Sequence, residues 1–286
     1  FTMIIVRRSD ANSHCFDTQS CHYNENRSDT MHSPAEIAKN YVSVGESKCK
    51  LSVLKLLLLG FFAGMFIALA GAASATAGFY VNKFAGAFIF SAGLAMVIIA
   101  GSELFTGNCL IIISVLEKRV SVLKMLKNWL FVYIGNFIGA LFVACFAAYS
   151  GVLDGIAEAT VSTAAAKANI GFGDGIMKGV LCNVLVCIGV WMAFAADTAG
   201  GKILTVILPI TAFVLCGYEH SIANMYFIPA GLMQQARLGI EAEGLNIIGF
   251  IKNLVPVTIG NIIGGSGIVG FGYWLAYLAG KEKSST

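Results

Sequence analysis

The chain has 286 residues, of which 57% are hydrophobic and 12% charged, and its formal net charge is +3. An average soluble domain has about 25% charged residues, so this chain has too little charge to cover a soluble globule of its size. No cluster of Lys and Arg is interleaved with aromatic residues, which argues against a nucleic-acid-binding protein. Long uncharged runs separate the few charges, as in proteins that cross a membrane several times.

The first 47 residues differ from the rest, because they are polar and hold three of the four histidines. Their one apolar stretch, Met3 to Val6, is too short for the apolar region of a signal peptide. We therefore expect residues 1–47 to form a polar cytoplasmic segment. Met31 is a candidate native start, which would make residues 1–30 non-native or disordered. We expect a transmembrane domain over residues 48–280 and a cytoplasmic tail over residues 281–286.

Six apolar stretches follow in chain order. A membrane helix needs about 20 apolar residues, which corresponds to about 30 Å. Two of the stretches are 33 residues long and are interrupted near the middle by polar residues, so each is too long for one straight crossing and too short for two. We predict that these two are broken crossings. In order, the stretches are Leu56 to Tyr80, Phe84 to Leu116 (broken), Trp129 to Tyr149, Ile176 to Ala196, Ile203 to Gln235 (broken) and Ile247 to Leu278.

The two interruptions resemble each other. Gly101-Ser-Glu-Leu-Phe-Thr-Gly-Asn108 shares Gly, Glu and Asn with Gly217-Tyr-Glu-His-Ser-Ile-Ala-Asn224, 116 residues later. The next crossings also match, since Asn128, Gly135, Asn136 and Gly139 recur 125 residues later. A repeat of three crossings places its second copy upside down in the membrane. We therefore predict an all-α, polytopic membrane protein built from an inverted three-helix repeat with two broken helices.

The basic residues predict the orientation. With both termini in the cytoplasm, 14 Lys and Arg residues lie inside and five outside, and membrane proteins place more basic residues inside. The loop Glu117 to Lys127 supports this orientation even without the leader. We expect both termini to be cytoplasmic, in the plasma or inner membrane.

A helix broken at membrane depth exposes backbone groups that hydrocarbon cannot satisfy, so a break lies against protein or a watery cavity. The N-terminus of each second half-helix carries partial positive charge, which favours an anion. Glu103 and Glu219 would repel that anion. We expect both glutamates, with Asn108 and Asn224, to support the breaks, and the alternative is a role in permeation.

His220 is the only histidine at membrane depth. Ionisable groups inside a membrane are costly and usually face a pathway, and imidazole titrates near neutral pH. The alternative is a packing histidine whose hydrogen bonds are satisfied by its neighbours. The other repeat has Leu104 at this position, so the two breaks differ in chemistry.

Several other residues have ordinary interpretations when taken alone. Lys167, in the connection from Gly151 to Asp174, could be a solvated surface lysine. The apolar residues around the breaks, Phe90, Leu94, Leu104, Phe105 and Phe213, could be packing residues. The eight cysteines include no CxxC and no pairing with His at metal spacing, so we expect packing thiols, no metal and no cofactor. One intramembrane histidine and two separated glutamates are too few groups for a membrane enzyme.

Five motifs between Pro34 and Gly280 resemble the formate/nitrite transporter family. Besides the two interruptions, they are Lys127-Asn-Trp with Gly135-Asn136, Leu181-Cys-Asn-Val-Leu-Val-Cys187 with Val190-Trp-Met-Ala193, and Gly260-Asn-Ile-Ile-Gly-Gly265. The resemblance implies an aquaporin-like six-helix protomer, a homopentamer and one pore in each protomer. It also implies a channel for small monovalent weak-acid anions, namely formate, nitrite and hydrosulfide.

The resemblance assigns roles to single residues. It places the central pore histidine at His220, the flexible-loop threonine at Thr106 and the attracting vestibule lysine at Lys167. Asn183 and Asn261 match pore-side asparagines, and the five apolar residues named above match the constrictions. From these roles we expect the anion to pass the constrictions with the help of a proton shared at His220. The partners are then small anions, protons, the lipid bilayer and four further copies of the chain.

One alternative remains at this point, which is an aquaporin-like channel for small neutral solutes. Such a channel would be expected to carry Asn-Pro-Ala at its half-helix junctions, where this chain has Thr106-Gly-Asn108 and Ala223-Asn-Met225. The sequence does not indicate which anion is physiological, or whether transport is passive or coupled to protons.

Overall fold

The structure is a computed structural model that describes residues 31–280, so the predictions for residues 1–30 and 281–286 lie outside it. Regular structure in the described part of the chain is helical, without strands. The helices are α1 (Pro34–Cys49), α2 (Val53–Tyr80), α3 (Lys83–Ile99), α4 (Phe105–Leu116), α5 (Val122–Tyr149), α6 (Ala157–Ala168), α7 (Phe172–Ala195), α8 (Ala199–Leu215), α9 (Ser221–Leu238) and α10 (Ile247–Tyr277, with a π-helical segment at Ile263–Gly270).

Six crossings follow from these helices. Helices α2, α5, α7 and α10 are each long and apolar enough to span a membrane. The other two crossings are made of half-helices, α3 with α4 and α8 with α9, which meet end to end at the polar interruptions. The predicted six-helix architecture with two broken crossings is therefore confirmed.

Short polar side chains determine where the membrane helices begin. The first backbone N–H groups of a helix have no partner within the helix, and a Ser, Thr or Asn just before it can accept one of these bonds. Side chains at five helix starts do so, and the caps are Ser52, Asn82, Ser121, Thr198 and Asn246.

Glycines end the first half of each broken crossing. Gly101 follows α3 and Gly217 follows α8, and both have a φ of +72°. The N–H of the next residue bonds back to the last turn, from Ser102 to the carbonyl of Val97 at 2.9 Å and from Tyr218 to that of Phe213 at 3.0 Å. A left-handed residue at this place closes a helix, and glycine adopts it without strain. Each half-helix therefore stops at the same point of its repeat.

Close helix contacts recur in the two halves. A Cβ atom on Gly139 of α5 would lie 2.0 Å from the carbonyl oxygen of Phe61, and one on Gly264 of α10 would lie 2.2 Å from that of Val180. Small residues allow membrane helices to pack closely. At these two positions even the Cβ atom of alanine would clash, so only glycine fits. Since Gly264 follows Gly139 by 125 residues, the α2–α5 and α7–α10 contacts are equivalent.

The outer faces of the helices are apolar. Leu54, Leu58, Leu204 and Leu208 are all more than half exposed in the single subunit. By contrast, the buried polar side chains collect near the breaks and include Glu103, Asn136, Glu219 and Asn261. This arrangement is inside out relative to a soluble protein and is typical of a protein surrounded by lipid.

Candidate permeation site

The second half-helices begin next to each other. Thr106, in the first turn of α4, places its hydroxyl oxygen 2.9 Å from Nε2 of His220, which immediately precedes α9. Nδ1 of His220 accepts a hydrogen bond from the backbone N–H of Ala223 at 3.1 Å and so caps α9. Because Nδ1 is an acceptor, the proton of a neutral ring lies on Nε2 and points toward Thr106.

A cavity of about 260 Å³ lies on the side of His220 where α6 packs, and we call it the outer vestibule after the orientation predicted from the basic residues. Its lining includes Phe90, Phe213, Lys167 and Glu219. The ring of Phe213 is stacked on that of His220, with centroids 5.9 Å apart, and the ring of Phe90 meets Phe213 edge to face at 5.7 Å. One aromatic ring therefore lies against the histidine and a second lies against the first, and both line this vestibule.

Lys167 does not stand alone in the outer vestibule. Its ammonium group lies 2.9 and 3.1 Å from the two carboxylate oxygens of Glu219, and it also lies 5.6 Å from the centre of the Phe227 ring. Both partners are mostly buried, with side chains 17% and 8% exposed. A buried charge requires such a partner.

A second cavity, of about 270 Å³, lies on the Leu104 side of the breaks, and we call it the inner vestibule. Leu94 and Leu104 line it, together with Lys48 and Glu103. The ammonium group of Lys48 lies 2.8 Å from Glu103. Each vestibule therefore holds one lysine paired with the glutamate of the nearer break.

The two ion pairs belong to equivalent hydrogen-bond networks. In the outer network the side-chain amide of Asn224 donates to Glu219 at 2.6 Å and to Asn253 at 2.8 Å, and Asn253 donates to the backbone oxygen of Lys167 at 2.9 Å. The inner network has the same bonds, made by Asn108, Glu103, Asn128 and Lys48, at 2.7, 2.9 and 3.2 Å. Since both glutamates are paired and hydrogen-bonded, their charges are balanced locally.

Asn261 and Asn136 hold the backbone of the breaks. Asn261 donates to the carbonyl of Glu219 at 3.0 Å and accepts from the N–H of Ser221 at 2.9 Å. Asn136 does the same for Glu103, at 2.9 Å, and for Phe105, at 2.9 Å. These bonds satisfy backbone groups that hydrocarbon would leave unpaired.

Asn183 contacts the backbone of Thr106. Its amide donates to the backbone oxygen of Thr106 at 3.2 Å and to that of Asn261 at 2.6 Å. The thiol of Cys187 also donates to the backbone oxygen of Thr106, at 3.3 Å. Neither Asn183 nor Asn261 lines a vestibule, and both bond to backbone groups of the breaks.

Phe105 points away from both vestibules. Its ring packs edge to face against Trp129 at 5.9 Å and Tyr133 at 4.9 Å. The structure therefore places Phe90 and Phe213 in the lining of the outer vestibule, Leu94 and Leu104 in that of the inner vestibule, and Phe105 in neither. Within residues 31–280, no group of His, Cys, Asp and Glu side chains is arranged to hold a metal ion.

Sequence reasoning missed Lys48, Asn128 and Asn253 as members of the site. A signal was present for the lysine, because Lys48 precedes Gly60 by the same interval by which Lys167 precedes Gly179. Gly60 and Gly179 are equivalent in the structure, since their carbonyls accept from Asn136 and Asn261, both at 2.8 Å. The two asparagines were present in the repeat but had no assigned role.

Comparison with known proteins gives one family. The sequence profile of the formate/nitrite transporter family matches residues 35–275 of this chain. The formate channel FocA of Escherichia coli K12 is 36% identical over 268 residues, which cover 86% of this chain and 94% of FocA.

Two solved structures are similar in fold. An FNT family ion channel is 29% identical, with a TM-score of 0.78, over 84% of this chain and 98% of that one. A pentameric formate channel with formate bound is 33% identical, with a TM-score of 0.67, over 79% of this chain and 98% of that one. The arrangement of six crossings with two breaks is therefore shared with known channels.

Proposed function

Because this chain belongs to the formate/nitrite transporter family, we propose that each subunit is a membrane channel in which His220 assists small weak-acid anions by sharing a proton. Formate, nitrite and hydrosulfide form the substrate class. The anion passes from the outer vestibule, between Phe90, Phe213 and His220, past Thr106, and into the inner vestibule beside Leu94 and Leu104.

The bond between His220 and Thr106 supports this proposal most directly. A neutral imidazole with its proton on Nε2 presents an N–H donor between the two vestibules. The Thr106 hydroxyl can accept a hydrogen bond from this N–H and can donate its own hydrogen bond to an anion. The Ala223 N–H occupies Nδ1, so a charged ring would have to give up its cap on α9. The resting histidine therefore carries no fixed positive charge that would trap the anion. To pass on a proton, the ring first takes one from water at Nδ1, which releases the Ala223 N–H, and then gives the Nε2 proton to the anion and is neutral again. The protonated acid releases this proton to water on the far side.

The apolar rings explain why weak acids are favoured. A bare anion that enters a narrow apolar ring loses water contacts at a cost of several kcal/mol or more. Near-neutral passage avoids most of that cost, because a protonated formate or nitrite carries no net charge. Chloride has no such neutral form at physiological pH, and we expect it to be excluded.

Orientation and assembly complete the proposal. Both termini lie in the cytoplasm, the chain resides in the plasma or inner membrane, and five copies assemble with one path in each. The pentameric state of the similar formate channel supports the assembly. The exposed apolar faces of the helices supply the surface that lipid and neighbouring subunits would cover.

Flux measurements test this function. We expect purified protein in liposomes to carry formate, nitrite and hydrosulfide, singly and in competition, and to exclude chloride. An imposed pH gradient, acidic on the side of the added anion, should raise the initial rate. Absence of flux for all three anions at every pH would contradict the proposal. Swelling in glycerol without anion flux would indicate instead a channel for neutral solutes.

A substitution can separate the proton-sharing role of His220 from its capping role. Asparagine is a good helix cap but cannot titrate, so His220→Asn should fold and lose most formate flux. Thr106→Val should also reduce flux, whereas Thr106→Ser should retain it. If His220→Asn folds and carries formate at the wild-type rate from pH 5 to pH 8, the proton-sharing step is wrong.

A further inference from the structure

The charges that line the vestibules do not agree with a simple attracting role for Lys167. Its ammonium group is held by both carboxylate oxygens of Glu219, and the neutral His220 ring adds no charge. The Lys48–Glu103 pair of the inner vestibule is balanced in the same way. At distances well beyond the 2.8 to 3.1 Å that separate its charges, each pair therefore contributes little net field to an approaching anion.

A further cavity of about 350 Å³ lies beside the outer vestibule. The two cavities share lining residues that include Ser74, Thr163 and Phe227, so they are adjacent. Lys83 lies in the lining of the further cavity and is exposed. It is the only charged side chain among the described residues that line this cavity, and it makes no ion pair within residues 31–280.

Lys202 holds the corresponding position on the inner side. It lines the inner vestibule together with Lys48 and Glu103, and it also makes no ion pair within the described part of the chain. Once the Lys48–Glu103 pair is set aside, Lys202 is the one remaining charge among the described lining residues.

The two lysines lie in the first turns of equivalent helices, although not at equivalent positions. Lys83 is the first residue of α3 and Lys202 the fourth of α8, and these two helices are equivalent and have 17 residues each. Neither helix has an acidic residue in its first turn. A cation at a helix N-terminus is electrostatically unfavourable for the helix, so helix stability does not explain either lysine.

We propose that Lys83 and Lys202 are the residues that attract the anion at the outer and inner ends of the path, and that Lys167 and Lys48 act inside the vestibules as the partners of the glutamates. The ligand class is small monovalent anions, so this inference rests on the proposed function. It assigns the long-range attraction to Lys83, which is exposed, and Lys202, which is half-buried, because Lys167 and Lys48 are neutralised by their glutamates.

The test uses salt added to one side of the membrane. Formate permeability is measured at low formate concentration in right-side-out vesicles from cells without their own formate channels. Raising a bulky salt such as choline gluconate from about 10 mM to about 300 mM on one side, with sucrose for osmotic balance, shortens the Debye length from about 30 Å to below 8 Å on that side only.

We expect outer salt to lower the wild-type permeability by up to about twofold, because the salt screens part of the attraction between a unit charge and an anion several ångströms away in water. Lys83→Gln should start at the lower value and lose the response to outer salt, while it keeps the response to inner salt. Lys202→Gln should behave in the opposite way. Lys83→Glu should reverse the sign, so that outer salt raises permeability, and Lys83→Arg should behave as wild type.

The matched controls are Lys252→Gln outside and Lys127→Gln inside, because both lysines are exposed, occupy equivalent positions of the repeats and line neither vestibule. Lysines that only contact lipid headgroups would resemble these controls. The inference fails if Lys83→Gln retains the full response to outer salt or if Lys252→Gln also removes it. Failure of the proposed function looks different, because the wild type itself would then carry no formate.

Discussion

Lys167 and Glu219 form an ion pair that has an equivalent in the other half of the protein, between Lys48 and Glu103. In both pairs the glutamate follows the left-handed glycine of a helix break by two residues. Each carboxylate also accepts a hydrogen bond from the asparagine five residues later, at 2.7 Å for Asn108 and 2.6 Å for Asn224. The breaks are therefore held by charge and hydrogen bonding on both sides of the path.

Removal of one charge from a pair should cost more than removal of both. Glu219→Gln leaves the ammonium of Lys167 mostly buried and without its partner, and breaking a buried pair typically costs about 3–5 kcal/mol. Addition of Lys167→Gln should restore part of that loss. Thermal unfolding of the purified protein measures the stability lost in each variant. If the loss in the double variant equals the sum of the losses in the two single variants, the two residues do not interact and the prediction is wrong.

The asparagines behind the breaks should be essential for folding. Asn261→Leu removes the bonds to the Glu219 carbonyl and the Ser221 N–H and leaves these groups buried without partners, at a cost of about 1–3 kcal/mol each. Asn136→Leu should be equally harmful in the other half. The yield of folded protein and its unfolding temperature report both losses. The equivalence is wrong if one variant is harmful and the other neutral.

The two left-handed glycines should resist substitution although there is space for a side chain. A Cβ atom on Gly101 or Gly217 would meet no atom within 4 Å, but both residues have a φ of +72°. Alanine in this conformation costs about 1–2 kcal/mol, so both variants should unfold at lower temperature. The control is Gly272→Ala in α10, which also has free space and should leave stability unchanged or raise it.

Stability should depend on pH through the contact between Glu46 of α1 and Arg119. The hydrogen bond from the Arg119 guanidinium lowers the pKa of Glu46 below its usual value of 4.5. This contact therefore contributes stability above the pKa of the unfolded chain, and the contribution disappears as pH falls through the lowered pKa. The difference in unfolding temperature between wild type and Glu46→Gln should be largest near neutral pH and should vanish well below pH 4.5. A difference that stays constant with pH would rule out the ionic contact.

Hydrophobic runs and repeated motifs were sufficient to predict the crossings and their breaks. The glycines at 101 and 217, with the Glu and Asn at the same spacing after each, indicate the breaks. Where the backbone leaves a helix inside the membrane, its N–H and C=O groups need polar partners nearby. The ends of helices were harder to predict. The apolar stretch from Ile203 to Gln235 becomes Ala199–Leu215 and Ser221–Leu238 in the structure, because Thr198 and His220 cap helix starts that hydropathy does not indicate.

Side-chain partners could not be obtained in this way. Phe105 and Leu104 are neighbours in the same motif, yet Leu104 lines the inner vestibule while Phe105 packs on Trp129 and Tyr133. The direction of each side chain is decided by the turn of the backbone into α4 and by the position of α5. The residue pattern along the chain indicates neither the direction of this turn nor the position of α5.

By itself, the sequence determined the lipid surroundings, the number of crossings, the repeat and the chemistry of each break. These depend on composition, on the spacing of residues within each motif and on motifs that recur 116 or 125 residues later. Only the tertiary structure decided that Thr106 meets His220, 114 residues away, and that Lys167 and Lys48 are balanced by glutamates. The physical reason is that the field felt by an anion depends on the distances between charges. Those distances are fixed when helices from the two repeats pack together.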